Sequence, residues 1–168
     1  IDWLVILAWA AVTAAIGVPL YLAGFTRPMG MIGLNVLATL VLVVPVVFGF
    51  AGLEASRREA SPGKRVRRLR VVDVETGRGL SFGRALLRNA LKLGLPWTVG
   101  HLAVFVISTD SAASGSVSWP VWTLTALAYV LPIWYVISLF VGDGRTPYDR
   151  AAHARVILDP APHASRSP

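Results

Sequence analysis

Apolar positions along this chain fall in long blocks and not in short amphipathic repeats. Residues 3–25 are apolar apart from Thr13, with Trp9 and Tyr21 as the amphipathic members of the run. Residues 31–53 form a second block whose only polar members are Asn35 and Thr39, and a third clear block covers 119–141. At about 1.5 Å per residue, a helix of this length crosses a hydrocarbon core of about 30 Å. The run 91–108 is weaker, because Lys92 stands at its start and His101 lies within it. It predicts a shorter span over about 94–108. The first run is too long for the apolar core of a cleaved leader, and further spans follow it.

The segment 54–93 has a different rhythm. Ser61-Pro62-Gly63-Lys64 reads as a turn. Residues 66–74, VRRLRVVDV, are β-branched and partly alternating, which predicts a short strand, and Glu75-Thr76-Gly77-Arg78-Gly79 makes a tight return. The only other β-branched run outside the apolar blocks is 154–158. Pairing of the two into a ribbon is expected, supported by the ends of the helices because two isolated strands are marginal. Ser81 is placed to cap a helix. Behind it Arg84, Arg88 and Lys92 recur at i, i+4 and i+8 on one face, with Phe82, Leu86 and Leu93 on another. That is a basic amphipathic helix suited to lie along an anionic leaflet, with Arg84, Arg88 and Lys92 as the lipid contacts. The expected fold is therefore an all-α membrane protein. It has four transmembrane helices (3–25, 31–53, 94–108, 119–141) and a basic cytoplasmic loop, 54–93, holding a short β-ribbon and an amphipathic helix. One domain covers 1–158, and the Pro-, Ala- and Ser-rich tail 159–168 is expected to be disordered.

Charge supplies the orientation. Only 15% of the 168 residues are charged, against about 25% in a soluble domain, and 55% are hydrophobic. Sixteen Lys and Arg face nine Asp and Glu. Eleven of the sixteen lie between Arg57 and Lys92 and four follow the last span, while Arg27 alone sits between the first two spans. The positive-inside rule then puts loop and tail together in the cytoplasm, which requires the weak span to be real. Nucleic acid is a poor alternative partner for the loop, since Phe82 is its only aromatic residue for stacking on bases. With no cysteine, disulfides, thiolate metal sites and a Cys nucleophile are excluded.

Candidate chemistry is sparse. Asp2 and Asp149 stand at the ends of the first and last spans, and no charged residue falls at mid-span. An ionisable group at membrane depth is costly, so both are functional candidates, although Asp2 could simply cap its helix. His101 is read as a neutral imidazole held by a neighbouring helix in preference to a proton relay. Asn35 and Thr39, one turn apart, suit interhelical hydrogen bonds. Pro19, Pro45 and Pro132 are packing irregularities whose freed carbonyls other helices or water can satisfy. Gly49 and Gly52 have the wrong spacing for a small-residue dimer motif. Asp143, Asp149 and His153 make only a weak metal signal, and none of the familiar catalytic or nucleotide-binding patterns occurs. No metal, no cofactor and no enzymatic activity is expected.

The stretch SPGKRVRRLRVVDVETGRGLSFGRALLRNALK resembles the central segment of the RDD family of small multi-span membrane proteins. That segment runs Pro/Thr-Gly-Lys-Arg, Leu-Arg-Val-Val, a Gly-containing turn, then Ser-x-x-Arg-x-x-x-Arg. GRTPYDRAAHARVIL resembles the family's closing Arg-Thr-x-x-Asp motif with its Val-rich end, and Ile1-Asp2 resembles the Ile-Asp of its first span. The resemblance implies that Asp2 and Asp149 are the two family aspartates, with the family's Arg preceding Ile1. There are departures: Pro147-Tyr148 replaces Leu-His, His153 stands where Gly is usual, and Arg68 replaces the Gly before the Leu-Arg-Val stretch. Transport has been suggested for such proteins, including exchange of monovalent cations for protons, for which Asp2 and Asp149 would serve. The preferred expectation is structural: Asp2 and Asp149 cluster beside Arg145 or Arg150 at the cytoplasmic face. That cluster would hold together a scaffold or partner-binding component of, by this resemblance, a bacterial plasma membrane. The expected partners are anionic headgroups and a second copy or another membrane protein.

Overall fold

The computed structural model describes residues 1–114 and 118–159. Four helical stretches are long and apolar enough to cross a membrane: Asp2–Leu22, Ile32–Ala55, Phe82–Ile107 and Trp119–Ser138. The first is the uninterrupted helix α1 (Asp2–Leu22), which buries none of its residues against the rest of the chain. Most of its large side chains, such as Trp3, Leu4 and Leu22, are exposed. In water that surface would be untenable, and in lipid it is the expected one.

The second and third stretches are each broken by one wide turn, and a proline explains both. α2 (Gly30–Ala38) passes through a π-helical segment, Thr39–Val43, into α3 (Val44–Ala55). Proline has no N–H and crowds the carbonyl four residues back. Just before Pro45 the ladder slips, so that Val44 donates to Thr39 five residues behind it. The Val41 carbonyl, which Pro45 cannot serve, accepts instead from Trp9 Nε1 of α1 at 3.0 Å. The same solution recurs in the third stretch. α5 (Phe82–Asn89) runs through a π segment, Ala90–Gly94, into α6 (Leu95–Ser114), and Leu95 donates to Ala90. Ahead of Pro96, the Leu91 carbonyl accepts from the Tyr135 hydroxyl at 2.9 Å. Tyr135 belongs to α7 (Trp119–Ser138). Each proline break thus becomes a hydrogen bond to an outer helix, as backbone in a bilayer requires.

The polar segments gather at one end of the bundle. Residues 61–64, predicted as a turn, are the start of a short helix, α4 (Pro62–Val66), with Pro62 preset for its first position. The predicted strand is trimmed to β1 (Leu69–Asp73), which pairs antiparallel with β2 (Ala154–Leu158). Val71 lies opposite Val156, and Asp73 opposite Ala154. Asp159 extends the pairing by donating its N–H to the Arg68 carbonyl at 2.7 Å. The rest of the predicted disordered tail, 160–168, lies outside the described residues. Between β2 and α7 stands α8 (Pro147–Ala151). The amphipathic segment behind Ser81 forms as predicted, with the Ser81 side chain accepting from the Arg84 N–H. It is the first part of the third membrane helix and not a separate surface element, and it packs on α3.

The core sits here, built from Ala51, Val71, Leu80, Ala85, Ala152 and Ala154. Four of these six are alanines with no exposed surface, which lets α3, α5, α8 and the ribbon approach closely.

Two departures from the family pattern acquire a physical meaning. Arg68 and His153 both have left-handed backbones, with φ of 52° and 50°. A side chain there costs about 1–2 kcal/mol, partly offset by the stiffer unfolded chain it gives compared with glycine. Both side chains are exposed, and all that is lost on their removal is the loose approach of His153 Nδ1 to the exposed Glu75 Oε1, at 3.8 Å. Arg68→Gly and His153→Gly are each expected to raise stability by about 0.5–1 kcal/mol, read as a higher melting temperature in detergent. A lower melting temperature for both would contradict this account of the two positions.

Candidate functional site

Glu54 closes the last turn of α3, where the helix dipole disfavours a carboxylate, and it has no exposed surface. Such a group needs cations, and two reach it. Arg88 of α5 donates through Nη1 to both Glu54 oxygens, at 2.8 and 2.9 Å. Lys64 of α4 places Nζ 2.5 Å from Oε1. Asn89 adds an amide hydrogen bond at 2.9 Å. Arg88 is itself only 2% exposed and uses its Nε on Asp149 Oδ1, 2.7 Å away. One guanidinium therefore joins the end of the second apolar stretch to the motif that follows the fourth.

Asp149 is held from both sides. Its Oδ2 accepts from the Thr146 hydroxyl at 2.6 Å, while the Thr146 oxygen caps the Asp149 N–H, so the two residues form a closed capping box at the start of α8. Tyr148 lies under the Arg88 guanidinium, 5.4 Å from ring centroid to cation, and meets Tyr135 edge-on at 5.0 Å. Burial pushes the Tyr148 hydroxyl above its ordinary pKa. With Glu54 and Asp149 against Arg88 and Lys64, the buried group is electrically balanced.

Asp2 joins the same end by a different route. Its carboxylate accepts from the Ser61 hydroxyl at 2.6 Å and from the Gly63 N–H at 2.7 Å, so it serves the first turn of α4. Only glycine fits opposite it, because a Cβ on Gly63 would stand 2.9 Å from the Asp2 carboxyl carbon. α4 in turn carries Lys64 to Glu54. Asp2 and Asp149 are thus linked through Gly63, Lys64, Glu54 and Arg88 and do not touch one another. This chain of contacts ties the start of the first span to all the others.

The expected partners of the aspartates are corrected. Arg145 and Arg150 both turn to Asp143, at 2.5 and 3.0 Å, in an exposed cluster outside the buried one. The hydrogen-bonded Arg145 guanidinium, with Arg150 beside it, holds the Asp143 carboxyl below its usual range. Asp149 and Arg150 are neighbours on a helix and so point about 100° apart, which sends one inward and the other out. Arg88 is corrected too: it is buried in protein and does not reach headgroups. Arg84 pairs with Asp73, the acid that also organises the return after β1 through the Glu75 and Thr76 N–H groups. Lys92 makes no ion pair or hydrogen bond among the described residues. The loose trio Asp143, Asp149 and His153 is dispersed, and among the described residues no group of acids and histidines gathers for a metal. His101 stacks on Trp97 of its own helix, with centroids 5.0 Å apart.

Sequence reasoning missed Glu54 entirely. Its signal was present: it is a lone acid at the end of an apolar block, next to the densest run of basic residues in the chain.

A model of the RDD family matches residues 1–153. The chain belongs to the RDD family. No curated protein and no solved structure matches it. It is an integral membrane protein by family and by its four apolar helices. In this RDD protein the Gly-Lys of the central motif has a plain geometric role: the glycine admits Asp2, and the lysine reaches Glu54. The Ser-x-x-Arg-x-x-x-Arg helix divides its work in the same way, Ser81 capping, Arg84 holding Asp73 and Arg88 joining the two buried acids.

Proposed function

We propose that this RDD protein is a structural or partner-binding component of the membrane, whose ribbon and short helices form a platform held by the Glu54–Arg88–Asp149 lock. The observation that carries this reading is that every candidate acid is already satisfied. Asp149 is taken by Arg88 and Thr146, Glu54 by Arg88, Lys64 and Asn89, and Asp2 by Ser61 and Gly63. A carboxylate that exchanges a cation for a proton must be free to bind either one, and a carboxylate bonded to a buried guanidinium is not. The platform faces the cytoplasm of a bacterial plasma membrane in this reading. The support is the positive-inside rule, since all but Arg27 of the sixteen basic residues lie on the loop or after the last span. The partner it serves is a second copy of the chain or another membrane protein.

Reconstitution in liposomes tests the reading against transport. Wild-type protein under an imposed Na+ or K+ gradient should move no more protons than empty liposomes do, and Asp149→Asn should lower the melting temperature instead of altering flux. Cation-driven proton movement that Asp2→Asn or Asp149→Asn abolishes would overturn it.

A further inference from the structure

Between the four membrane helices lies a cavity of about 530 Å³, within the range of small-ligand sites, about 300–1,000 Å³. Ile6, Ala10, Leu42, Val43 and Val46 supply apolar wall from the first two spans. Pro96 and Pro132 line the opposite side. Lys92, Trp97, Tyr135 and Tyr148 contribute the polar atoms of that side.

Lys92 is the only charged residue among those that line the cavity, and no Asp or Glu does. Tyr135 is already occupied with the Leu91 carbonyl. Two groups are left without partners. Lys92 stands two residues before Gly94, at the basic end of the cavity, and bonds to nothing among the described residues. Trp97 Nε1 is buried without an acceptor. An unpaired indole N–H forgoes a hydrogen bond, and a cation facing an apolar space invites an anion (the reverse of what a cation pathway requires). Lys64 and Arg88 lie close enough to Lys92 to add positive potential, although Glu54 and Asp2 oppose them.

We propose that this cavity holds one acyl chain of an anionic membrane phospholipid, with its phosphate on Lys92. The lipid phosphate supplies the acceptor that Lys92 lacks, and the acyl chain fills the wall formed by the first two spans. A membrane lipid is the occupant because the surrounding helices turn their apolar side chains to the bilayer, so the chain enters sideways without crossing water. Of the three basic residues on one face of the third span, Lys92 alone remains for a headgroup inside the bundle, since Arg84 and Arg88 are paired within the protein. The site stands whether the protein scaffolds or transports.

Native mass spectrometry of the delipidated full chain in detergent tests it. The chain is titrated with phosphatidylglycerol, with phosphatidylcholine of the same acyl chains, and with inorganic phosphate. Phosphatidylglycerol should bind at least about fivefold more tightly than phosphatidylcholine, the gain expected of one basic residue near an anionic headgroup. Lys92→Gln should remove that preference and Lys92→Arg keep it. Ala10→Trp, which fills the cavity, should weaken both lipids, and Arg84→Gln should change neither. Equal binding of the two lipids, a preference that survives Lys92→Gln, or inorganic phosphate competing as well as the lipid would overturn the proposal. Should Lys92→Gln fail to fold, Ala10→Trp and the comparison of the two lipids on wild type still decide it.

Discussion

Replacing Arg88 with Gln should destabilise this protein by roughly 3–5 kcal/mol. The magnitude comes from what is left behind. Glu54, with no exposed surface, would keep only Lys64 and the Asn89 amide, and Asp149 would keep only its own capping box. Two buried carboxylates would then face each other across the space the guanidinium vacated. Arg88→Lys should fare little better, because an ammonium cannot span two carboxylates with the fixed fork used here. Equilibrium unfolding in mixed detergent micelles measures the loss. A change below about 1 kcal/mol would place Arg88 among ordinary surface charges and refute the lock.

Glu54→Gln is expected to cost about 3 kcal/mol, for the complementary reason. The neutral amide would leave Lys64 without a carboxylate and Arg88 with Asp149 alone. The informative measurement is the double variant. Because Arg88 and Glu54 share one network, Glu54→Gln with Arg88→Gln should cost about 1–3 kcal/mol less than the two single costs added together. Strict additivity would mean that the two side chains do not interact, against the 2.8 and 2.9 Å contacts between them.

Much of this architecture could be read from pattern. The apolar blocks located all four membrane stretches, and the β-branched runs at 66–74 and 154–158 found each other across about half of the chain. Ser81 was recognised as a cap because capping is a local matter of one side chain and the N–H three residues on. The failures were of a different kind. A spacing of i, i+4, i+8 shows that Arg84, Arg88 and Lys92 share a face, but not what that face meets. The neighbour is α3, whose Glu54 lies 34 residues before Arg88 and turned an apparent lipid contact into a buried ion pair. The aspartates were assigned the arginines nearest in sequence, whereas the guanidinium that serves Asp149 lies 61 residues away. The π segments were illegible for a related reason. Pro45 and Pro96 announce a broken ladder, but where the wide turn falls depends on Trp9 and Tyr135 being at hand to donate to the freed carbonyls.

The lock also sets an order of assembly. It takes Glu54 from the end of the second span, Arg88 from the third and Asp149 from the motif after the fourth. Until that motif has left the ribosome, Glu54 and Arg88 hold a pair with one carboxylate missing, and β1 has no partner strand. A nascent chain with three helices inserted is therefore unfinished at its polar end however well its spans sit in lipid. Folding of the platform waits on the motif after the fourth span, and any product stopped short of that motif leaves β1 without its partner strand.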